Sequence, residues 1–593
     1  MARLSRRENT SETSSEVRGR LRRLEGATLG HAHKFIISRW RNLQEVRRMA
    51  GAWLLAIAAL ILATFWQGGQ FAQLYTIDGP AEDTTYTEGV VGTVDNLNPI
   101  FVSTPAEKSV SKLLFASLFA DDERGLPQPQ LVQNYTLDDT GKTYTMTLRK
   151  NVRWQDGAPL TADDVVYTFA TIKDASTHSQ LYSSWRNITV EKADDYTVRF
   201  TLPAAYTPFL HGLNVGILPE HILGKVRASE LRSHSFSRNP TVGSGPFVFQ
   251  DARTMGTTNI RSIVRMDRND NYFLGAPKLS HYQLHAYSNR DDLANAYKTQ
   301  EVAAIGDESN DTIESAGGQR GNVRTDSPLY NGVYTFLRMD SPMLSDLKVR
   351  NALELATDQK AIIDHLHGRV QAVTGPLLSG QLGYDPALKQ APTNIAKAKQ
   401  LLEDAGWKLG TDGKRHNKDG MELRLQFATL SGGDFPSVAK LIMDQWAALG
   451  VSFDSQLVKP EDIQQNVVSP RAYDVLLYEL AIGSDSDVYA YWHSSQSTSR
   501  GFNLSGYHSS IVDDALDSAR ARADNSLRVA KYRNFTEQWL KDVPAIGIYR
   551  PNFTYIETKG VTSFAQRQLS DPTDRFENVR FWSASKDQLR PTL

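Results

Sequence analysis

The stretch "NVRWQDGAPLTADDVVYTFATI", residues 151–172, combines a tryptophan, three aspartates and a helical pattern. Asp156 precedes a glycine, and this pair predicts a turn because glycine adopts positive φ without steric cost. Thr161 followed by Asp164 predicts the capped start of a helix, and apolar residues follow at helical spacing. We interpret the stretch as a turn and a helix cap; a reactive cluster of carboxylates is the alternative.

The chain around this stretch has 593 residues, too many for one compact core, so several lobes are expected. Its composition, 40% hydrophobic and 22% charged, is typical of a folded globular protein. A net charge of −1 gives no reason to expect a nucleic-acid partner. The chain has no cysteine, which excludes disulfides, thiolate metal sites, cysteine nucleophiles and a lipid anchor on cysteine.

The N-terminal region predicts a membrane anchor. Residues 1–48 are basic, and the uncharged run "MAGAWLLAIAALILATFW" begins at Met49. Its 18 residues span ~27 Å as a helix, close to the roughly 30 Å bilayer core. The next forty residues are acidic and lack lysine and arginine, so the positive-inside rule predicts a cytoplasmic segment 1–48, a transmembrane signal anchor 49–70 and a linker 71–83. A cleaved signal peptide and a buried core helix are the alternatives.

From Thr84 onward, strand-like and helical segments alternate. "KTYTMTLRKNVRW" (142–154) and "DYTVRFTL" (195–202) alternate apolar and polar residues, as strands do. "TNIAKAKQLLEDAGW" (393–407) carries one apolar helical face and ends at a glycine. This alternation predicts an α/β architecture with mixed sheets.

Common catalytic motifs are missing from the sequence. It contains no G-x-S-x-G, no Walker loop and no H-E-x-x-H. His281 and His285 lie on a predicted strand, where four residues span about 13 Å, too far for one metal ion. A carboxylate pair for glycoside hydrolysis is not singled out by any spacing.

Besides residues 151–172, the chain contains a series of further motifs. They are "DNLNP" (95–99), "GSGPF" (243–247), "NDNYFLGAPKL" (269–279), "LSDLKVRNALELATDQKAI" (344–362), "KAKQLLEDAGW" (397–407), "DGKRHNKDGMEL" (412–423) and "YWHSSQ" (491–496). In this order the chain resembles the extracellular solute-binding proteins of the dipeptide, oligopeptide and nickel class of ABC importers. The resemblance extends over nearly everything after Thr84, and it favours the architectural interpretation of residues 151–172.

The resemblance implies a two-lobed, periplasmic-binding-protein-like α/β fold with an inserted third subdomain, here preceded by one N-terminal transmembrane helix. The lobes are expected to close over a ligand about a hinge formed by residues 334–340 and 548–556. By analogy, the chain divides into a first lobe from 84–126, 236–335 and 546–590, an inserted subdomain from 127–235, and a second lobe from 336–545.

The resemblance also implies where a ligand binds. In peptide receptors of this class the ligand backbone pairs with extended protein segments. The matching segments are residues 478–496 and 87–99, so the implied ligand-binding residues are Ala481, Ile482, Gly483, Asp485, Tyr478, Tyr489, Trp492 and Leu97. An aspartate anchors the ligand amine in well-known members, and Ile482 stands at that position, so we expect ligands with a blocked amine to bind at least as well as free amines.

The function implied is a membrane-anchored receptor outside the cytoplasm that delivers peptides, or another small polar solute, to an ABC permease. The resemblance implies no catalytic residue, no metal ligand and no cofactor. Two alternatives remain open: a membrane-anchored extracellular enzyme such as a glycosidase or peptidase, and a sensor or interaction protein that kept the fold without transport.

Overall fold

The computed structural model describes residues 53–54, 56–61, 76–80, 84–256, 260–317, 322–367, 369–522, 524–558 and 560–589. Segment 1–48 and most of the predicted anchor 49–70 lie outside these residues; 53–54 and 56–61 are helical and exposed. Within the described ranges, none of the helices has both the length and the apolar character needed to span a bilayer. Part of the predicted linker, Thr76–Pro80, is a strand.

The first lobe is built on a mixed seven-stranded sheet. Its strands, in spatial order, are Val323–Pro328, Asn552–Glu557, Ala304–Asp307, Thr85–Val91, His281–Tyr287, Arg261–Arg268 and Phe247–Met255. Thr85–Val91 runs parallel to both of its neighbours, and the remaining pairs are antiparallel. This lobe also contains Pro105–Leu114, Arg290–Lys298, Asn310–Ala316, the 3-10 segment Pro572–Phe581, and the short strands Phe119–Asp121, Pro127–Pro129, Val561–Thr562 and Ser583–Leu589.

The inserted subdomain contains an antiparallel four-stranded sheet, ordered Val132–Leu137, Thr143–Leu148, Thr197–Thr201 and Thr189–Asp194. One helix, Ala162–Lys173, packs against this sheet. Shorter helical segments complete it: Ala175–Thr177, Tyr182–Trp185, Thr207–Leu213, Glu220–Leu223, Ala228–Leu231 and Ser235–Arg238. Its buried apolar residues form one continuous core with buried apolar residues of the first lobe. The inserted subdomain and the first lobe therefore share a packed interface.

The second lobe is built on a mixed six-stranded sheet, ordered Gln371–Ala372, Ala545–Arg550, Asn331–Leu337, Val475–Ala481, Arg424–Leu430 and Ser452–Val458. A small hairpin pairs Lys408–Leu409 with Arg415–His416. The helical segments are Leu347–Ala356, Gln359–His365, Ile395–Asp404, Phe435–Ala447, Pro460–Ile463, Gln464–Val468, Tyr489–Trp492, Ser494–Gln496, Ser510–Ala521 and Asn525–Asp542. The mixed α/β architecture predicted from the sequence is thereby confirmed.

The chain crosses between the two large sheets twice. One crossing connects the strands Val323–Pro328 and Asn331–Leu337, and the other connects Ala545–Arg550 and Asn552–Glu557. Asn331–Leu337 and Ala545–Arg550 pair within the second sheet, so the predicted first-lobe boundaries at 335 and 546 fall inside second-lobe strands. The first crossing lies before the hinge segment predicted at 334–340. That segment begins within the hydrogen-bonded strand Asn331–Leu337.

A buried arginine joins the two crossings. Arg550 is 2% exposed, and its Nε donates to the carbonyl of Leu329 on the other crossing. Its Nη1 donates to the Ser379 carbonyl at 3.1 Å, and its guanidinium lies over the Tyr330 ring at 4.8 Å. Burial lowers the pKa of Arg550 to about 10. Arg550 therefore ties the connecting segments to each other and to the second lobe.

Residues 151–172 form the predicted turn and helix cap. The backbone N–H of Trp154 donates to the Ala158 carbonyl at 2.8 Å, and Asp156 Oδ1 accepts the N–H of Ala158 at 3.0 Å. Thr161 is the N-cap of the helix Ala162–Lys173, and the Asp164 carboxylate accepts its backbone N–H at 2.8 Å. The architectural interpretation of these residues is confirmed.

Candidate functional site

A cavity of about 770 Å³ lies where the inserted subdomain meets the second lobe. This volume is within the range of small-molecule sites, roughly 300–1,000 Å³. The inserted subdomain contributes residues between 184 and 214, the second lobe contributes residues within 482–487 and 517–521, and the first lobe contributes Asp121 and Ser570. The two lobes and the inserted subdomain thus all contribute to the lining of this cavity.

The loop after strand Val475–Ala481 forms the second-lobe wall, and it is fixed to a crossing. The backbone N–H groups of Ile482 and Gly483 donate to the Tyr330 carbonyl at 3.0 and 2.9 Å. Gly483 has φ of 83°, a value that favours glycine. Gln381 Nε2 donates to the carbonyls of Gly483 and Asp485 at 2.8 and 3.1 Å. The loop is therefore hydrogen-bonded directly to the crossing that contains Tyr330.

Two aspartates on this loop are already paired with arginines. Both carboxylate oxygens of Asp485 accept from Arg528 Nη2 at 3.1 Å, and the Arg528 side chain is 5% exposed. Asp487 accepts from Arg520 Nη2 at 2.9 Å. Burial raises the pKa of Asp487, with Arg520 opposing the shift. The cavity therefore faces carboxylates whose charge the protein itself compensates.

Arg520 also connects the second lobe with the inserted subdomain. Its guanidinium lies 4.1 Å from the ring centre of Tyr489 and 5.0 Å from that of Tyr206. Tyr206 belongs to the inserted subdomain, and the neighbouring Thr207 Oγ1 donates to the Arg522 carbonyl at 2.9 Å. Cation–π contacts contribute about 0.5–2 kcal/mol each, so these contacts hold the two walls together.

A polar network joins all three bodies at the cavity. Asp121 accepts from Ser570 Oγ at 3.2 Å and from Ser484 Oγ at 3.3 Å, and lies 3.1 Å from His211 Nδ1. Burial lowers the pKa of His211, but the hydrogen bond and charge of Asp121 outweigh burial, so the pKa is raised above its ordinary value.

The same network lacks the geometry of a Ser–His–Asp relay. Ser484 Oγ lies 3.3 Å from His211 Nδ1, the nitrogen that also contacts Asp121. A relay needs the carboxylate on one ring nitrogen and the hydroxyl on the other. Over the described residues, the structure contains no group of three or more His, Asp or Glu suited to a metal ion.

The structure brings some of the implied ligand-binding residues to the cavity. Ile482, Gly483 and Asp485 line it, and Tyr489 stacks on Arg520 behind its wall. The others lie outside the lining. Ala481 is exposed, and its carbonyl accepts the Tyr491 hydroxyl, whereas Tyr478 is half-buried on the same strand.

Two of the implied residues lie in hydrophobic cores and outside the cavity lining. Leu97 and Trp492 are both 0% exposed and belong to hydrophobic cores of the first and second lobes. Trp492 packs against Tyr334, Phe336 and Trp539 with ring centres 5.3–5.8 Å apart. Neither side chain lines the cavity.

Sequence reasoning missed most of the lining. The inserted subdomain, Asp121, Ser570 and the paired arginines were not identified, because no motif marks them and the resemblance placed the site on two other segments. The strand pattern at residues 195–202 predicted structure there, but it carries no signal for a cavity wall.

Comparisons with known proteins give one consistent result. A model described as bacterial extracellular solute-binding proteins, family 5 Middle, matches residues 127–502. The oligopeptide-binding protein AppA of Bacillus subtilis (strain 168) is 25% identical over 481 residues, 80% of this chain and 87% of AppA.

Two solved structures share the fold. The oligopeptide-binding protein AppA from Bacillus subtilis, in complex with a nonapeptide, has a TM-score of 0.69 at 23% identity over 86% of this chain and 100% of the other. NikZ from Campylobacter jejuni, in complex with Ni(L-His), has a TM-score of 0.70 at 24% identity over 85% and 100%.

Proposed function

Because this chain belongs to the bacterial extracellular solute-binding proteins, family 5, we propose that it captures a peptide or another small polar solute outside the cytoplasm and delivers it to an ABC importer. The observation that carries the proposal is the cavity of about 770 Å³ at the meeting point of three bodies. Peptide is the first ligand class to test, because the relative AppA is an oligopeptide-binding protein.

Capture by hinge closure is part of the proposal. Two short crossings connect the sheets of the lobes, and Arg550 ties them together. The loop that carries Ile482 is bonded to the crossing residue Tyr330. Rotation about the crossings therefore moves the wall of the cavity, as in hinge closure around ligands.

The function is tested by identifying what the protein binds. The full chain is purified from native membranes, and mass spectrometry identifies small molecules released on denaturation. A bound peptide or polar solute, together with a permease captured by crosslinking in the same membranes, is the expected result. Turnover of the released molecule by the purified chain, or a bound solute with no permease partner in repeated crosslinking, would overturn the transport proposal.

We also propose that residues 49–70 anchor the receptor in the membrane with residues 1–48 in the cytoplasm, from the uncharged run and the charge asymmetry around it. The full chain is expected in the membrane fraction, extracted by detergent but not by high salt or alkaline carbonate. A variant that lacks residues 1–83 is the control and is expected in the soluble fraction. Recovery of uncleaved full chain as a soluble monomer would contradict the anchor.

The cavity predicts weak discrimination between free and blocked amines. Ile482 offers no charge, and Asp485 is engaged by Arg528, so an incoming ammonium gains little of the ~1.5–3 kcal/mol of a charged hydrogen bond. We expect a peptide ligand and its N-acetylated form to bind with affinities within about threefold of each other, measured by calorimetry.

The Arg528→Met variant sharpens this experiment. Removal of the guanidinium frees the Asp485 carboxylate, so the free-amine form is expected to gain at least about tenfold over the acetylated form. The double variant Arg528→Met with Asp485→Asn is the control and is expected to lose that gain. A tenfold preference for the free amine in the unaltered chain, abolished by Asp485→Asn, would show that Asp485 anchors the amine.

A further inference from the structure

The cavity lining combines polar and apolar regions, and the inserted subdomain contributes polar residues such as Asn187 and Asn214 as well as apolar ones. The second lobe and first lobe present Ser484, Ser570 and the paired aspartates. The inserted subdomain presents the apolar side chains of Trp185, Leu202 and Phe209, which line the cavity although they are only 3–4% exposed. One wall of the cavity is therefore the edge of a hydrophobic core.

This apolar wall, defined as Trp185, Leu202 and Phe209, is firmly supported from behind. Trp185 lies 4.2 Å from Phe169 and 5.8 Å from Phe209 between ring centres. Phe209 lies 5.5 Å from Phe200. Aromatic side chains packed in a core are held in one arrangement, so the shape of the wall is set before any ligand arrives.

The apolar wall is also held opposite the loop 482–487. Tyr206, four residues after Leu202 in sequence, contacts Arg520 of the second lobe, and Thr207 bonds to Arg522. In this structure these contacts set the distance between the apolar wall and the loop 482–487. A ligand that fills the cavity touches both.

We propose that the inserted subdomain determines specificity by receiving a bulky apolar group of the ligand, an aromatic or branched aliphatic side chain, against the apolar wall. The polar part of the ligand faces Ser484 and Ser570. This inference rests on the proposed function and narrows its ligand class to amphipathic solutes. Burial of such a side chain favours binding by about tenfold or more over glycine at the same position.

A glycine beside the apolar wall allows a test that leaves the core intact. Gly212 is exposed and lines the cavity, and a Cβ built on it meets one atom within 4 Å, Trp185 Cζ2 at 3.8 Å. The added Cβ therefore meets no backbone atom, and we expect the leucine side chain of Gly212→Leu to cover part of Trp185 from the cavity side. Gly432→Leu is the matched control, because Gly432 is exposed in the second lobe and its added Cβ meets nothing within 4 Å.

The probe is an equimolar mixture of N-acetyl-Gly-X-Gly-amide peptides, with X each of the twenty amino acids. The full chain in detergent is equilibrated with the mixture, and the retained peptides are quantified by mass spectrometry, with thermal unfolding measured for each variant. We expect aromatic and branched X to be enriched about tenfold over glycine, the enrichment to be lost in Gly212→Leu, and Gly432→Leu to behave as the parent.

Three results would overturn the inference, and they are distinguishable. The first is retention of peptides without preference for apolar X. The second is a preference that remains in Gly212→Leu although this variant melts at the same temperature as the parent. Either result refutes the role of the apolar wall and leaves the proposed function standing. Retention of no peptide by the parent refutes peptide capture itself, and the inference falls with it.

Discussion

Arg575→Met is expected to lower the free energy of unfolding by about 3–5 kcal/mol, because it leaves a carboxylate buried without its cation. Arg575 is 1% exposed and Glu88 is 0% exposed. Arg575 Nη2 and Nε donate to Glu88 Oε1 at 2.7 and 3.0 Å. The other oxygen of Glu88 accepts the Tyr282 hydroxyl, which does not compensate a full charge. Urea unfolding followed by tryptophan fluorescence measures the loss.

A double variant separates the cost of the unpaired charge from the loss of packing. Glu88→Gln combined with Arg575→Met removes both charges, so it is expected to recover a substantial part of the stability that Arg575→Met loses. A change below about 1 kcal/mol for Arg575→Met alone would show that Glu88 is neutral or solvated in the folded protein, contrary to the geometry.

Trp154→Ala is expected to cost about 3–5 kcal/mol of stability. Trp154 is 2% exposed, and its Nε1 donates to Asp164 Oδ2 at 3.2 Å. Asp164 is 3% exposed and also accepts the backbone N–H groups of Thr161 and Glu220. The substitution therefore leaves a large void and removes one donor from a buried carboxylate whose pKa burial already raises.

Asp156→Ala, on the same turn, is the matched comparison for Trp154→Ala. The Asp156 side chain is 35% exposed and pairs with His221 at 2.8 Å, so we expect a loss below about 1 kcal/mol. Neither substitution is expected to change ligand affinity in protein that remains folded, since neither residue lines the cavity. A Trp154→Ala variant that melts like the parent, or an Asp156→Ala variant that melts like the parent and no longer binds, would contradict this assignment.

The elements that the sequence predicted well depend on neighbouring residues. The turn at Asp156 and the helix cap at Thr161 are formed by partners a few residues away. Strand alternation likewise predicted Thr143–Leu148 and Thr197–Thr201. The order of such elements carried the resemblance and, through it, the family.

The placement of apolar residues was harder to predict. Leu97 and Trp492 lie in segments that the resemblance assigned to the ligand, yet both are core residues. In a sequence, an apolar residue that lines a cavity cannot be distinguished from one inside a core. The hydrophobic pattern predicts that a residue is buried, but it does not predict whether a ligand or the protein core buries it. The proposed boundary at residue 335 falls inside a strand of the second sheet, and a sequence does not show this because sheet membership depends on strand pairing.

By itself, the sequence determined the local elements, the mixed α/β class, the family and the charge asymmetry of the N-terminal region. Only the tertiary structure decided the site. Glu88 meets Arg575 across 487 positions of sequence, Asp121 meets Ser484 across 363, and Arg528 reaches Asp485 across 43. Cavity walls and compensated charges form where segments distant in sequence pack together. The stabilising free energy of that packing comes from pairs of residues, and local sequence patterns do not show which distant residues form a pair.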